Sequence, residues 1–167
     1  RPVLINTETR VVDHLTWGLL PSWRKPDTRP QINARSESIF DKPFFREAAH
    51  EHRCVVAVTG YYEWSGPPGK KLKHLFTPTD DAVLMLAGLF VPSTRTFSLL
   101  TCEPNALAAR VHDRMPVILN DGVALDRWLR PSRVDAREVA DLLVACPSER
   151  LVANPPAAKA EAQGSLF

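Results

Sequence analysis

Val55-Val56-Ala57-Val58-Thr59-Gly60-Tyr61-Tyr62-Glu63-Trp64 is a β-branched apolar run that passes through one glycine into an aromatic stretch holding a single carboxylate. Arg53 stands before it and the Gly66-Pro67-Pro68-Gly69 turn after it, so the run reads as a buried strand. Along a strand Tyr61 and Glu63 share one face, and Tyr62 and Trp64 the other. An unpaired buried carboxylate costs several kcal/mol, so Glu63 is either a solvated strand-end charge or a titrating group hydrogen-bonded in a lined cavity.

A chain of 167 residues that is 44% hydrophobic suits one domain with a real core. Its 15 prolines and seven glycines, spread along the length, imply many short elements joined by turns, hence a β-rich α+β fold rather than a helical bundle. The formal charge of +2 divides unevenly: residues 1–80 carry a net +3 and residues 81–167 a net −1, which permits a basic face. Three cysteines, Cys54, Cys102 and Cys146, without a CxxC pair, predict a reduced, intracellular protein. No apolar stretch approaches the ~18 residues of a membrane span, so no membrane partner is expected. The chain opens with Arg1 in an extended segment, and further residues are expected ahead of it.

Taken in order, Pro2–Ile5 and Val11–Leu20 read as a hairpin, with Gly18 weakening the second strand or marking a close backbone approach. Residues 21–30 form a proline-rich loop in which Trp23 sits among Arg24, Lys25 and Arg29. That tryptophan either plugs onto the core or stacks a base beside phosphate-seeking cations. Asp41 is placed to cap a helix of about three turns ending near His52. His50, His52 and Cys54 would share a face only on a strand, so no metal site is expected there, and no cofactor elsewhere. Strands are predicted at 74–77, 83–90, 96–101, 117–119 and 151–153. Helices are predicted at 103–110, 121–129 and 135–145, and an unstructured tail from Asn154.

Four stretches together resemble the SOS-response-associated peptidase (SRAP) family, whose members look after abasic sites in single-stranded DNA. They are Trp17-Gly18-Leu19-Leu20-Pro21-Ser22-Trp23, Asn33-Ala34-Arg35-Ser36-Glu37, Gly60-Tyr61-Tyr62-Glu63-Trp64 and His112-Asp113-Arg114-Met115-Pro116, in the family's order. The resemblance implies one domain over residues 1–153, a barrel-like mixed sheet with peripheral helices and a basic cleft for single strands. It implies that Asn33, Glu63 and His112 are catalytic: Asn33 orienting the sugar or nucleophile, Glu63 shuttling protons at an amine, His112 acting on the sugar oxygen. Trp17, Trp23, Arg24, Arg35 and Arg114 would bind DNA, Arg35 at a backbone phosphate. The expected partner is single-stranded DNA containing abasic sites, met by a monomer in a bacterial-type cytoplasm, on the nucleoid when acting.

In the family an N-terminal cysteine, bared when the protein removes its own initiator Met, condenses with the ring-opened aldehyde to a thiazolidine crosslink. Imine formation needs a neutral amine and a proton donor for the departing water, a task for two titratable groups with separated pKa values. The family's opening Cys-Gly-Arg and the segment that carries its second asparagine ahead of a proline are missing here, which makes this either a fragment or a non-crosslinking relative, and a fragment is expected. A non-covalent single-strand or modified-DNA binder and a hydrolase of small amides or peptides are the competing functions.

Overall fold

The computed structural model describes residues 1–80, 82–119 and 121–154. In it the chain forms strands β1 (Pro2–Ile5), β2 (Val12–His14), β3 (Thr16–Trp17) and β4 (Asn33–Arg35), helix α1 (Arg46–Glu51), and strands β5 (Arg53–Val58), β6 (Tyr61–Ser65), β7 (Leu72–Pro78), β8 (Leu84–Val91), β9 (Thr96–Cys102) and β10 (Met115–Pro116). Helices α2 (Gly122–Trp128) and α3 (Ala136–Val139) and strand β11 (Leu151–Asn154) follow. One mixed sheet runs β10-β9-β8-β5-β1-β2, with β3 and β4 also paired to β9, and a smaller sheet runs β11-β7-β6. The mixed sheet is nearly closed into a barrel with few helices around it, as expected.

The centre is β8, Leu84-Met85-Leu86-Ala87-Gly88-Leu89-Phe90-Val91, a continuous apolar run because both of its faces are covered. It pairs with β5 from Arg53↔Leu89 to Val58↔Leu84 and with β9 from Gly88↔Leu99 to Val91↔Thr96. Leu86, Leu100, Ile39 and Trp128 belong to the main core, while Val3, Leu15, Cys54, Phe90 and Phe97 form a second cluster.

The stretch 55–64 does not form one strand. It breaks at Thr59-Gly60 and feeds two sheets, β5 in the large one and β6 in the small one. At the break a Cβ on Gly60 would stand 2.6 Å from the Phe76 carbonyl oxygen, so only glycine lets the chain pass this close to β7. Beyond it β6 pairs with β7, Glu63 opposite His74, and Tyr61 stacks on Phe76 with centroids 4.9 Å apart.

The helices are shorter than their sequence patterns. Residue 41 does not start a helix: Pro43 disfavours helical backbone at Lys42, and the chain turns until α1 begins at Arg46. Of 103–110 only Ala108–Arg110 winds, as a 3₁₀ turn, with the Asn105 side chain accepting the Ala108 N–H at 2.9 Å. Of 135–145, α3 is followed by a 3₁₀ turn at Ala140–Leu142. Asp121 does cap α2, accepting from the Ala124 N–H at 2.8 Å. The expected strand 11–20 divides into β2 and β3 and ends at Gly18, where φ is +119° and a Cβ would meet the Pro30 side chain at 3.0 Å. Apart from Asn154, which completes β11, the expected tail lies outside the described residues.

Arg53, read in sequence as a boundary charge, is fully buried. Its guanidinium donates to the carbonyls of Trp128 (2.8 Å), Ala49 (3.3 Å), His50 (2.6 Å), Arg130 (2.5 Å) and Ser132 (2.9 Å). These acceptors cluster about the C-terminal ends of α1 and α2, the negative ends of the helix dipoles. Burial brings its pKa down to about 10, which leaves it cationic at neutral pH.

Candidate functional site

One side of β9 is covered by β8 and then β10; the other is followed end to end by the short parallel strands β3 and β4. Trp17 lies opposite Phe97, Asn33 opposite Leu99 and Arg35 opposite Thr101. Alternate residues of a strand share a face, so the three side chains make one row, with steps of about 7 Å. All three are exposed, while Ala34 between them is buried. Trp17 is held flat: its indole N–H donates to the Ile32 carbonyl at 2.7 Å and its ring stacks on Phe97 at 6.5 Å. Among the described residues, the side chains of Asn33 and Arg35 have no hydrogen-bond or ion-pair partner, and none links Asn33 to Glu63 or His112.

At the Arg35 end of the row, Arg114 ties two sequence-distant stretches together. Its guanidinium pairs with both Glu37 carboxylate oxygens, at 2.7 and 2.8 Å, and donates to the Thr101 carbonyl at 2.6 Å. The pairing holds the Glu37 carboxyl below its ordinary range and raises the guanidinium. Arg114, expected to bind DNA, thus spends its guanidinium within the fold, although its buried Nε has no partner among the described residues. Its backbone N–H and carbonyl oxygen both stand against Nδ1 of His112, at 3.1 and 3.3 Å, and fix the position of the ring. The Asp113 carboxylate stands 3.1 Å from the same Nδ1, ready to accept from it when the ring is charged.

Glu63 is half-buried on the inward face of β6, beside the buried Tyr61. Burial raises its pKa; a charge on His112 and the Trp64 backbone amide work against that rise, and Asp113 adds to it. Carboxyl and imidazole, 49 positions apart in sequence, therefore feel one another in the fold. The Tyr61 hydroxyl is buried, without a hydrogen-bond partner among the described residues, and burial pushes its pKa up. Trp23 and Arg24 stand elsewhere. Trp23 is 55% exposed and meets Phe44 edge-on at 6.1 Å, over the main core rather than in the row. None of the three cysteines is a ready nucleophile: all are buried, and burial pushes the thiols up, that of Cys102 to about 11. Sequence reasoning assigned no role to Glu37 or Asp113, although both lie inside stretches it singled out.

The sequence pattern of the SOS response associated peptidase (SRAP) family matches residues 1–159. The chain belongs to that family. Among curated SRAP relatives, it is 34% identical to the abasic site processing protein YoqW of Bacillus subtilis, over 77% of this chain and 62% of the relative. It is 27% identical to the abasic site processing protein HMCES of Gallus gallus, over 90% of this chain and 54% of that one. This SRAP chain thus spans about three-fifths of the first and about half of the second. Among solved structures, a protein from Bacteroides thetaiotaomicron superposes with a TM-score of 0.78 at 31% identity, covering 90% of this chain and 72% of that one. A protein from Bordetella bronchiseptica gives 0.77 at 26% identity, with 94% and 83% covered.

Proposed function

We propose that this chain holds single-stranded DNA and transfers protons in an abasic-site processing protein, one that crosslinks to the ring-opened sugar. The names of its relatives support the substrate. The observation that carries the mechanism is a half-buried Glu63 of raised pKa within electrostatic reach of His112, whose ring meets the backbone of Arg114, the residue bound to the Thr101 carbonyl at the Arg35 end of an exposed Trp17, Asn33, Arg35 row. Steps of about 7 Å suit an extended strand, with Trp17 stacking a base, Asn33 orienting the reacting sugar and Arg35 meeting a phosphate.

The nucleophile in this reading is a cysteine with a free α-amine ahead of Arg1. Its amine nitrogen adds to the aldehyde carbon to give a carbinolamine. Glu63, in its protonated form, gives a proton to the departing hydroxyl, which leaves as water, and a protonated imine remains. The thiol then gives its proton to the Glu63 carboxylate, its sulfur adds to the carbon of the protonated imine, the C=N electron pair returns to nitrogen, and the five-membered thiazolidine closes. His112 moves the proton of the sugar oxygen when the ring opens. Amine and thiol must belong to one residue, so buried Cys54, Cys102 and Cys146 do not replace it.

A labelled single strand with one abasic site, resolved on a denaturing gel, tests this. The chain beginning at Arg1 is expected to bind but form no adduct; a version extended to begin Met-Cys is expected to form one. Glu63→Gln in the extended protein should slow the crosslink by about 10²-fold or more while changing affinity little, since a proton donor acts in the transition state. A stable adduct through Cys54, Cys102 or Cys146 would overturn the assignment. Strand binding without an adduct from the extended protein would leave a non-covalent binder.

A further inference from the structure

Trp23 is not part of the row, and its surroundings make a site of their own. The 21–23 loop, α1 and the turn between β8 and β9 enclose a pocket of about 270 Å³, lined among others by Trp23, Pro43, Phe44, Glu47, His52 and Pro92. Its walls are aromatic rings and prolines, flat apolar surfaces suited to a planar ligand. The volume falls just below the range of drug-sized ligand sites, which leaves room for one base rather than two.

Charge says which planar ligand. Arg24 and Lys25 follow Trp23, and Lys42 and Arg46 flank Pro43 and Glu47; all four are exposed, and none has an ion-pair partner among the described residues. Cations around an apolar pocket suit a nucleotide, with the base inside and phosphates at the rim. Against that background Glu47 is anomalous, because a carboxylate repels phosphate. It has no ion-pair partner among the described residues, and burial holds the neighbouring His52 imidazole below its ordinary value, hence uncharged at neutral pH. A carboxylate oxygen only accepts hydrogen bonds, so it favours a base edge that donates, as the exocyclic amino group of cytosine does, over the O4 of thymine.

On the reading that this chain holds single-stranded DNA, we propose that the Trp23 pocket takes one base of that strand, and that Glu47 makes it prefer bases carrying an exocyclic amino group. Trp23 covers the base, the prolines and Phe44 contact its faces, and Glu47 accepts from the amino group at the pocket mouth. The chain thereby reads sequence next to the lesion, while the Trp17, Asn33, Arg35 row holds the backbone.

The test measures fluorescence anisotropy with two labelled ten-nucleotide strands, one all dC and one all dT, each with a central tetrahydrofuran abasic analogue. The parent is expected to bind the dC strand about fivefold more tightly. Glu47→Gln should bring the two within about twofold, because an amide both donates and accepts. Trp23→Ala should weaken both. Equal parental affinities, or a preference that survives Glu47→Gln, would overturn the pocket. Arg35→Ala separates the two levels: loss of affinity, with the log–log salt slope flattened by about 0.7, supports the DNA reading independently of Glu47. If the parent binds neither strand, both fall together.

Discussion

Glu63 carries a signature that stability measurements can read. Its pKa is raised in the fold, chiefly by burial and further by Asp113, against the pull of His112 and the Trp64 amide. A carboxyl of raised native pKa binds its proton more tightly folded than unfolded. The stabilisation from that proton is fully present below about pH 4, the ordinary glutamate value, and is lost as pH rises through the elevated one. Glu63→Gln keeps a neutral, hydrogen-bonding side chain and does not titrate. Melting temperatures of parent and Glu63→Gln should therefore diverge in the variant's favour as pH rises from about 4 and level off once Glu63 is ionised. A gap independent of pH would show that Glu63 is solvated. Sequence alone could not choose, because a strand-end glutamate between aromatic rings looks the same whether its face turns inward or outward; burial on β6 decides it.

At the scale of elements, the apolar runs were legible and the breaks between them were not. The strands at 83–90 and 96–101, the Asp121 cap and the β-rich class follow from β-branched content, turn residues and capping chemistry. The division of 55–64 does not, because its cause is the carbonyl of Phe76, sixteen positions away, which leaves no room for a Cβ at Gly60. The Trp17, Asn33, Arg35 row escaped for a related reason: its members lie on two short strands brought into line by a third, β9. The motif stretches named Asn33, Glu63, His112 and Arg35, but only the fold shows Arg114 bound to Glu37 and Trp23 in a separate pocket. Gly60→Ala tests the element directly. Forcing a methyl to within 2.6 Å of a backbone oxygen should cost about 1–3 kcal/mol and loosen the β6–β7 pairing. Amide exchange should then quicken in Tyr61–Ser65 and Leu72–Pro78 more than in β8. Unchanged melting and unchanged exchange would mean the chain crosses between sheets without needing glycine.

For the whole molecule, the question is what joins the helical periphery to the sheet. Arg53 is the first residue of β5, and its guanidinium reaches carbonyls at the end of α1, the end of α2 and the 130–132 segment. Asn6 adds to the junction, accepting the Arg53 N–H at 2.9 Å and donating to the Glu51 carbonyl at 2.9 Å. No carboxylate lies within hydrogen-bonding distance of the guanidinium among the described residues, so the cation is offset by carbonyl dipoles at contact, with Glu51 and Glu138 acting on it only through space. Arg53→Met fills much the same space, but while the His50 carbonyl keeps the Val134 N–H and the Arg130 carbonyl the Asn6 amide, those of Ala49, Trp128 and Ser132 lose their donor. At about 1–3 kcal/mol for each buried group left unpaired, the loss is about 3 kcal/mol or more. Whole domains are stable by only about 5–15 kcal/mol, so that loss is a large share. Arg53→Lys keeps the charge with three donors and should fall between the two. Urea titrations would rank the midpoints parent, Arg53→Lys, Arg53→Met. A Met variant as stable as the parent would mean that apolar packing, with Trp128 buried against β5, holds the helices to the sheet without the cation.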